Sequence, residues 1–166
     1  MADTKLGGNP IHTSGELPAV GNAAPDFVLT KTDLSDVSLK DYAGKKVILN
    51  IFPSIDTDVC AASVRRFNTE AGKIDGAVVL AISKDLPFAH KRFCGAEGIE
   101  KVVSLSELRN TDFGSAYGVR LVDGPLGGVF ARAIVVVDES GKVVHTQLVP
   151  EIKEEPDYAA ALAAIK

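Results

Sequence analysis

A thiol is the most reactive group this sequence offers, and the chain holds two, Cys60 and Cys94. Cys60 closes the stretch Pro53–Cys60, PSIDTDVC. This follows the apolar run Val47–Phe52 and precedes Ala61–Ala71, where Val64, Phe67 and Ala71 recur at helical spacing. A strand, a tight turn and a cysteine at a helix start form a setting that favours a thiolate. The first amides of a helix lack carbonyl partners and carry partial positive charge, so a thiol placed there loses its proton more readily. Thr57 stands three residues before the cysteine, with its hydroxyl in reach of the sulfur. A cysteine without such neighbours is by default a small buried hydrophobe. The proline, threonine and acidic residues around Cys60 argue for a nucleophile instead. Asp58 cuts the other way, because a carboxylate beside a thiolate repels it. At a helix start, however, it can cap the chain and point to solvent, where its charge is screened.

The elements that must position this stretch are legible from patterning. Lys46–Phe52 lacks the alternation of a half-exposed strand and predicts a central strand covered on both faces. Ala77–Ser83 and Ala133–Val137 predict two more. Pro87–Phe93 suits a helix with its proline in the first turn, Cys94 at its end and Gly95 just beyond. Gly72 is expected near the end of the helix that follows Cys60. Phe27–Leu29, Asp36–Leu39 and Val102–Ser104 read as shorter strands, Leu39–Ala43 as one helical turn, and Thr111–Tyr117 as a helix stopped by Gly118. Asp138–Gly141 turns the chain into Val143–Leu148, an antiparallel edge. A last helix from about Pro156 to Ile165 has Pro156 as its first residue and Tyr158, Leu162 and Ile165 as its buried stripe. Ahead of all this, Thr4–Leu6 and Ile11–Thr13 flank Gly7–Pro10 as a β-hairpin, with His12 an exposed polar position. The order predicts an α/β, thioredoxin-like fold: a mixed central sheet flanked by helices, with an added N-terminal β-hairpin. It reads as one domain over residues 1–166, with 1–20 as the hairpin extension. A fold alone does not fix chemistry.

Composition narrows the function classes. A net charge of −4 with no run of Lys or Arg argues against a nucleic-acid partner. With 46% hydrophobic residues the chain can bury a sizeable core. The N-terminus MADTKLGGNP has no apolar stretch resembling a signal peptide, and no apolar run is long enough to span a membrane, so a cytoplasmic protein is expected. In a reducing compartment two cysteines are redox-active or incidental rather than a structural staple. They are not a Cys-x-x-Cys pair, which argues against a general thiol–disulfide oxidoreductase, and no His/Cys cluster has metal spacing.

Pro53, Thr57 and Cys60 fill, in register, the pattern P-x-x-x-T-x-x-C, and in this the chain resembles the peroxiredoxins. Residues 50–68 (NIFPSIDTDVCAASVRRFN), 82–98 (ISKDLPFAHKRFCGAEG) and 131–138 (ARAIVVVD) are similar to the bacterial thiol peroxidase subfamily, which are atypical two-cysteine peroxiredoxins. The Glu155–Tyr158 stretch and the N-terminal Gly-Asn-Pro turn extend the resemblance over almost the whole chain. The resemblance implies that Cys60 is the peroxidatic cysteine and Cys94 the resolving one, joined to it as an intramolecular disulfide. It implies that Thr57 relays a hydrogen bond to sulfur and peroxide, and that Pro53 packs over the sulfur and excludes water. Arg132 matches the family's arginine, which holds thiolate and peroxide; on charge alone Arg65, Arg66 and Arg120 are its rivals. The implied activity is reduction of hydrogen peroxide and of alkyl or lipid hydroperoxides, for which Phe52, Leu86 and Phe88 supply apolar surroundings. Thioredoxin is the implied reductant and a homodimer the implied assembly; no flavin, haem or metal cofactor is called for. A second reading from the same residues is a peroxide sensor or binding module switched by that disulfide.

Overall fold

The computed structural model describes residues 1–71 and 73–165, the side chain of Ala71 excepted. Gly72, expected near a helix end, lies outside them. Strands β1 (Asp3–Leu6) and β2 (Asn9–His12) form the N-terminal hairpin, closed by Gly7 and Gly8 at φ of 59° and 84°. Two consecutive residues at positive φ make the tight turn whose twist suits paired strands, and glycine reaches that region without a Cβ clash.

The remaining strands are β3 (Val28–Lys31), β4 (Asp36–Ser38), β5 (Lys46–Ile51), β6 (Ala77–Ser83), β7 (Val102–Ser106), β8 (Ala133–Val137) and β9 (Val143–Leu148). They make one seven-stranded sheet in the order β4-β3-β7-β6-β5-β8-β9. β5, β6 and β7 run parallel; β3, β8 and their edge partners β4 and β9 join antiparallel. Helices α1 (Asp58–Ala71), α2 (Pro87–Glu97), α3 (Asp112–Ala116) and α4 (Tyr158–Ala163) complete the fold, with a 3₁₀ turn at Leu39–Tyr42. Among the described residues no helix is long and apolar enough to cross a membrane.

β5 explains why its sequence does not alternate. Ile48 and Phe52 enter a core with Val64 and Phe67 of α1, Phe93 of α2, and Tyr158 and Leu162 next to Ile165. Val47, Leu49 and Ile51 face the opposite core, with Phe27, Phe113 and Tyr117. Both faces of the strand are therefore buried, as a parallel centre requires. The mixed sheet, its helices and the separate hairpin are those expected.

Several ends shift by one or two residues: Asn9 and Pro10 join β2 rather than the turn, β3 and β7 run on to Lys31 and Ser106, and α4 stops at Ala163. Two further helix boundaries are corrected for a local reason. α2 does not stop before Gly95: it continues to Glu97 and is closed by Gly98 at φ 65°, whose amide donates to the Cys94 carbonyl. Gly95 keeps ordinary helical backbone, so Cys94 lies inside the helix. Pro156 is not the first residue of α4. The Asp157 carboxylate accepts the Ala160 amide at 3.0 Å and takes the capping position, which leaves the proline one residue outside.

Candidate active site

Cys60 is the third residue of α1, and the Thr57 carbonyl accepts the Ala61 amide at 3.0 Å, which makes Thr57 the cap. The amides of Asp58, Val59 and Cys60 thus head the helix. The polar residue within the apolar run of β5 holds this turn to the sheet. Asn50 Nδ2 donates to Ser63 Oγ at 3.1 Å, and Ser63 Oγ donates to the Cys60 carbonyl at 2.8 Å, all of it buried.

Arg132, immediately before β8, is 2% exposed. Its Nη1 donates to Cys60 Sγ at 3.3 Å and its Nε to the Ile152 carbonyl at 2.9 Å. A buried guanidinium is costly unless paired, and here a sulfur and a carbonyl fix it in one orientation. The N-terminal hairpin supports that carbonyl. The Ile152 amide donates to the Lys5 carbonyl at 2.8 Å, and the Gly7 and Gly8 amides donate to the Glu151 carboxylate at 2.8 and 2.9 Å. Those bonds hold the Glu151 carboxyl below its ordinary range. The hairpin is also tied to the Asp123–Gly128 loop, because His12 Nδ1 meets the Asp123 carboxylate at 2.6 Å. That pair holds the imidazole above its usual value, so His12 is half-exposed and paired rather than an idle surface position.

A cavity of about 430 Å³ opens beside the sulfur's neighbours. It is lined by Pro53, Thr57 and Val59 from the Cys60 turn and helix, by Leu6, Leu126, Val129 and Ile152, and by Arg132. Pro53, Thr57 and Arg132 therefore gather where Cys60 stands, while the Cys60 sulfur lies just behind the wall, fully buried. The Thr57 hydroxyl donates to the Ser54 carbonyl at 2.9 Å rather than to the sulfur. Asp58 is exposed at the cavity rim and adds its charge to the field around Arg65, two turns along α1.

The rival arginines are occupied elsewhere. Arg65 pairs with Glu97 at 2.9 Å, Arg66 covers the Tyr158 ring at 5.0 Å, and Arg120 pairs with the buried Glu107 at 2.9 Å. Leu86 and Phe88 are exposed and do not line the cavity, so the apolar surroundings expected from them are supplied by Leu6, Val59, Leu126, Val129 and Ile152. These had no signal in the sequence beyond being apolar, since the hairpin and the loop reach the site only through tertiary packing.

Cys94 belongs to a different place. It is half-buried in α2, with Sγ 3.4 Å from Ser104 Oγ, and packs against the same core as Cys60. Both thiols are free. Arg65–Glu97 clasps α1 to α2, and Asn68 Oδ1 ties α1 to the segment just past α2, accepting the Glu100 and Lys101 amides at 3.2 and 2.7 Å. Arg92 of α2 also bonds Asp56 in the turn before Cys60.

A buried cysteine held by an arginine at a helix N-terminus, with a second free thiol on the neighbouring helix, is an arrangement for thiol redox chemistry. Comparisons with known proteins agree. The Redoxin family matches residues 19–162. A Mycobacterium tuberculosis protein named thiol peroxidase is 58% identical over 165 residues, covering 99% of each chain. A peroxiredoxin-like protein from Aquifex aeolicus superimposes with a TM-score of 0.94 at 36% identity, over 99% of this chain and 96% of that one. A thiol peroxidase from Chromobacterium violaceum shares the fold with a TM-score of 0.89 at 22% identity, over 96% and 93% of the two chains. The chain belongs to the Redoxin family, as a peroxiredoxin of the thiol peroxidase type.

Proposed function

We propose that the protein reduces hydroperoxides through Cys60 and resolves the product with Cys94. The observation that carries this is the 3.3 Å bond from the buried Arg132 guanidinium to the Cys60 sulfur, beside an apolar-walled cavity. The thiolate attacks the terminal peroxide oxygen: an S–O bond forms, the O–O bond breaks, and the departing alkoxide or hydroxide takes a proton. Arg132 and the amides heading α1 stabilise negative charge on the sulfur and on the leaving oxygen. Pro53 limits water near the sulfur, and Thr57 swings its hydroxyl from the Ser54 carbonyl to the bound peroxide. The peroxide reaches the closed-off sulfur from the cavity beside it, with the turn ahead of Cys60 in place. The cavity walls suit alkyl or lipid hydroperoxides alongside hydrogen peroxide.

The sulfenic acid on Cys60 then reacts with the Cys94 thiolate, which forms an S–S bond and releases hydroxide, protonated to water. A disulfide needs Cα atoms within about 7 Å, while the two sulfurs here stand on different helices, Cys60 of α1 bonded to Arg132 and Cys94 of α2 beside Ser104. The start of α1, or α2, or both, therefore unwind as it forms. Closing a loop of this length contributes about 3–4 kcal/mol in the chain-entropy model, enough to offset part of the lost packing. On oxidation, amide exchange across residues 53–60 and 87–97 is expected to rise sharply. Equal protection in both redox forms contradicts the rearrangement.

Thioredoxin returns the disulfide to two thiols, and the protein works in the cytoplasm as a homodimer. A Cys94→Ser variant separates this enzyme from a switch. It is expected to react once with peroxide and to lose thioredoxin-coupled turnover at least about 100-fold, because nothing resolves the sulfenic acid. A stopped reaction after one equivalent, read from peroxide consumption, is the expected result; full coupled turnover contradicts Cys94 as the resolving thiol.

A further inference from the structure

The turn ahead of Cys60 is held from outside α1, by a carboxylate with no part in the chemistry above. Asp85 follows β6 and precedes α2. Its Oδ1 accepts the Ser54 hydroxyl and its Oδ2 the Ile55 amide, both at 2.7 Å. Oδ2 also accepts the Ser83 hydroxyl. Ser83 Oγ lies 3.0 Å from His90 Nε2 of α2 and accepts the Asp85 amide at 3.1 Å.

A serine hydroxyl has one proton and two lone pairs. With its proton on Asp85, Ser83 Oγ is left to accept, from the Asp85 amide and from His90 Nε2–H. That assignment fixes the imidazole tautomer and leaves His90 Nδ1, which has no partner among the described residues, as a bare lone pair against the core. It agrees with burial, which holds the imidazole below its ordinary value against the pull of Asp85 and Asp56. Every hydrogen-bonding site of Ser83 Oγ is then filled.

The same turn carries its own bonds onward. Ser54 Oγ accepts the Asp56 amide at 3.2 Å, and the Ser54 carbonyl accepts both the amide and the hydroxyl of Thr57, at 3.2 and 2.9 Å. A continuous chain of hydrogen bonds thus runs from His90 in the Cys94 helix, through Ser83 and Asp85, to the residue that caps the Cys60 helix. We infer that Asp85 is a positioning residue: its carboxylate latches the Ser54–Thr57 turn to Ser83 and His90, so that the Cys60 site is fully formed only while the Cys94 helix is folded. This rests on the peroxidase reading above. The peroxide reaction belongs to the latched state and disulfide formation to the released one, so loosening the latch slows the first step and favours the second.

The test uses Asp85→Ala and Asp85→Asn. An asparagine can offer its oxygen to the Ile55 amide and the Ser83 hydroxyl and its amine to Ser54 Oγ, and so keeps the latch. In the Cys94→Ser background, which stops after the first step, Asp85→Ala is expected to react with hydrogen peroxide about tenfold more slowly, the effect of losing a charge-assisted bond to the turn. Asp85→Asn is expected to stay within about threefold of its parent. With Cys94 present, the share of Cys60 driven to sulfinic acid by excess peroxide, read by mass spectrometry, falls several-fold in Asp85→Ala. A residue that merely supports the fold would leave that share unchanged or raise it. An unaltered first step in Asp85→Ala, an Asp85→Asn variant as slow as Asp85→Ala, or an unchanged sulfinic share each overturns the latch. Amide exchange at Ile55 keeps the two claims apart. If the parent takes up no peroxide oxygen at Cys60, the peroxidase reading fails, whereas an Ile55 amide no faster to exchange in Asp85→Ala defeats the latch itself.

Discussion

Cys60→Ser is expected to consume hydroperoxide no faster than an unrelated protein, a loss of at least about 10⁴-fold, the order seen when a catalytic nucleophile is removed. A serine hydroxyl is hardly ionised near neutral pH and is a poor nucleophile toward an O–O bond, whereas a thiolate is both available and polarisable. The fold is expected to survive. The new oxygen is slightly smaller than sulfur, and Arg132 Nη1, which donates to the sulfur at 3.3 Å, remains to bond it. Thermal unfolding within a few degrees of the wild type, beside absent peroxide consumption, separates lost chemistry from lost structure. Cys94 alone does not compensate, since its sulfur has Ser104 rather than an arginine as its polar neighbour.

Arg132→Met is expected to lower the rate of Cys60 oxidation by about 100- to 1,000-fold, the cost of removing one preorganised donor from a developing oxyanion. The methionine fills most of the buried volume but donates to nothing. It leaves the sulfur without its nearest positive charge and the Ile152 carbonyl without the Nε partner at 2.9 Å. An unpaired buried carbonyl costs about 1–3 kcal/mol, so the melting temperature also drops. Arg132→Lys distinguishes the parts: a lysine keeps the charge but cannot hold sulfur and carbonyl at once in the fixed fork of a guanidinium. Its rate is expected between the two. A rate equal to wild type in Arg132→Met, measured by rapid mixing with hydrogen peroxide, contradicts the role assigned to the guanidinium.

Much of this was readable from residue order because the strongest signals were local. A fully buried parallel strand shows as an unbroken apolar run, and β5, β6 and β8 appeared with nearly their true limits. Pro53, Thr57 and Cys60 are close in sequence and so in space. What escaped was tertiary. Arg132 could be separated from Arg65, Arg66 and Arg120 only by family likeness until its contact with the sulfur was seen. Besides the Cys60 turn and Arg132, the cavity wall draws on a hairpin, a loop and the segment after β9, three parts of the chain that share no pattern. Asn50 sits within an apolar run and gave no sign of anchoring α1 through Ser63. Gly95 misled for a local reason: glycine marks a helix end only where the backbone turns left-handed, and that happens at Gly98. Asp58 is the first residue of α1 rather than its cap, a place Thr57 takes, but it is solvent-exposed as expected, where its charge is screened.

The central claim is that one peroxide is spent on Cys60 and its oxidation captured by Cys94. Adding one equivalent of hydrogen peroxide to the fully reduced protein, then mapping its peptides by mass spectrometry without reductant, tests this directly. The expected result is loss of both thiols, a mass two hydrogens below the reduced chain, and a single cross-linked peptide joining Cys60 to Cys94. Two free thiols after that addition, or oxygen gained at Cys94 while Cys60 stays reduced, contradicts it.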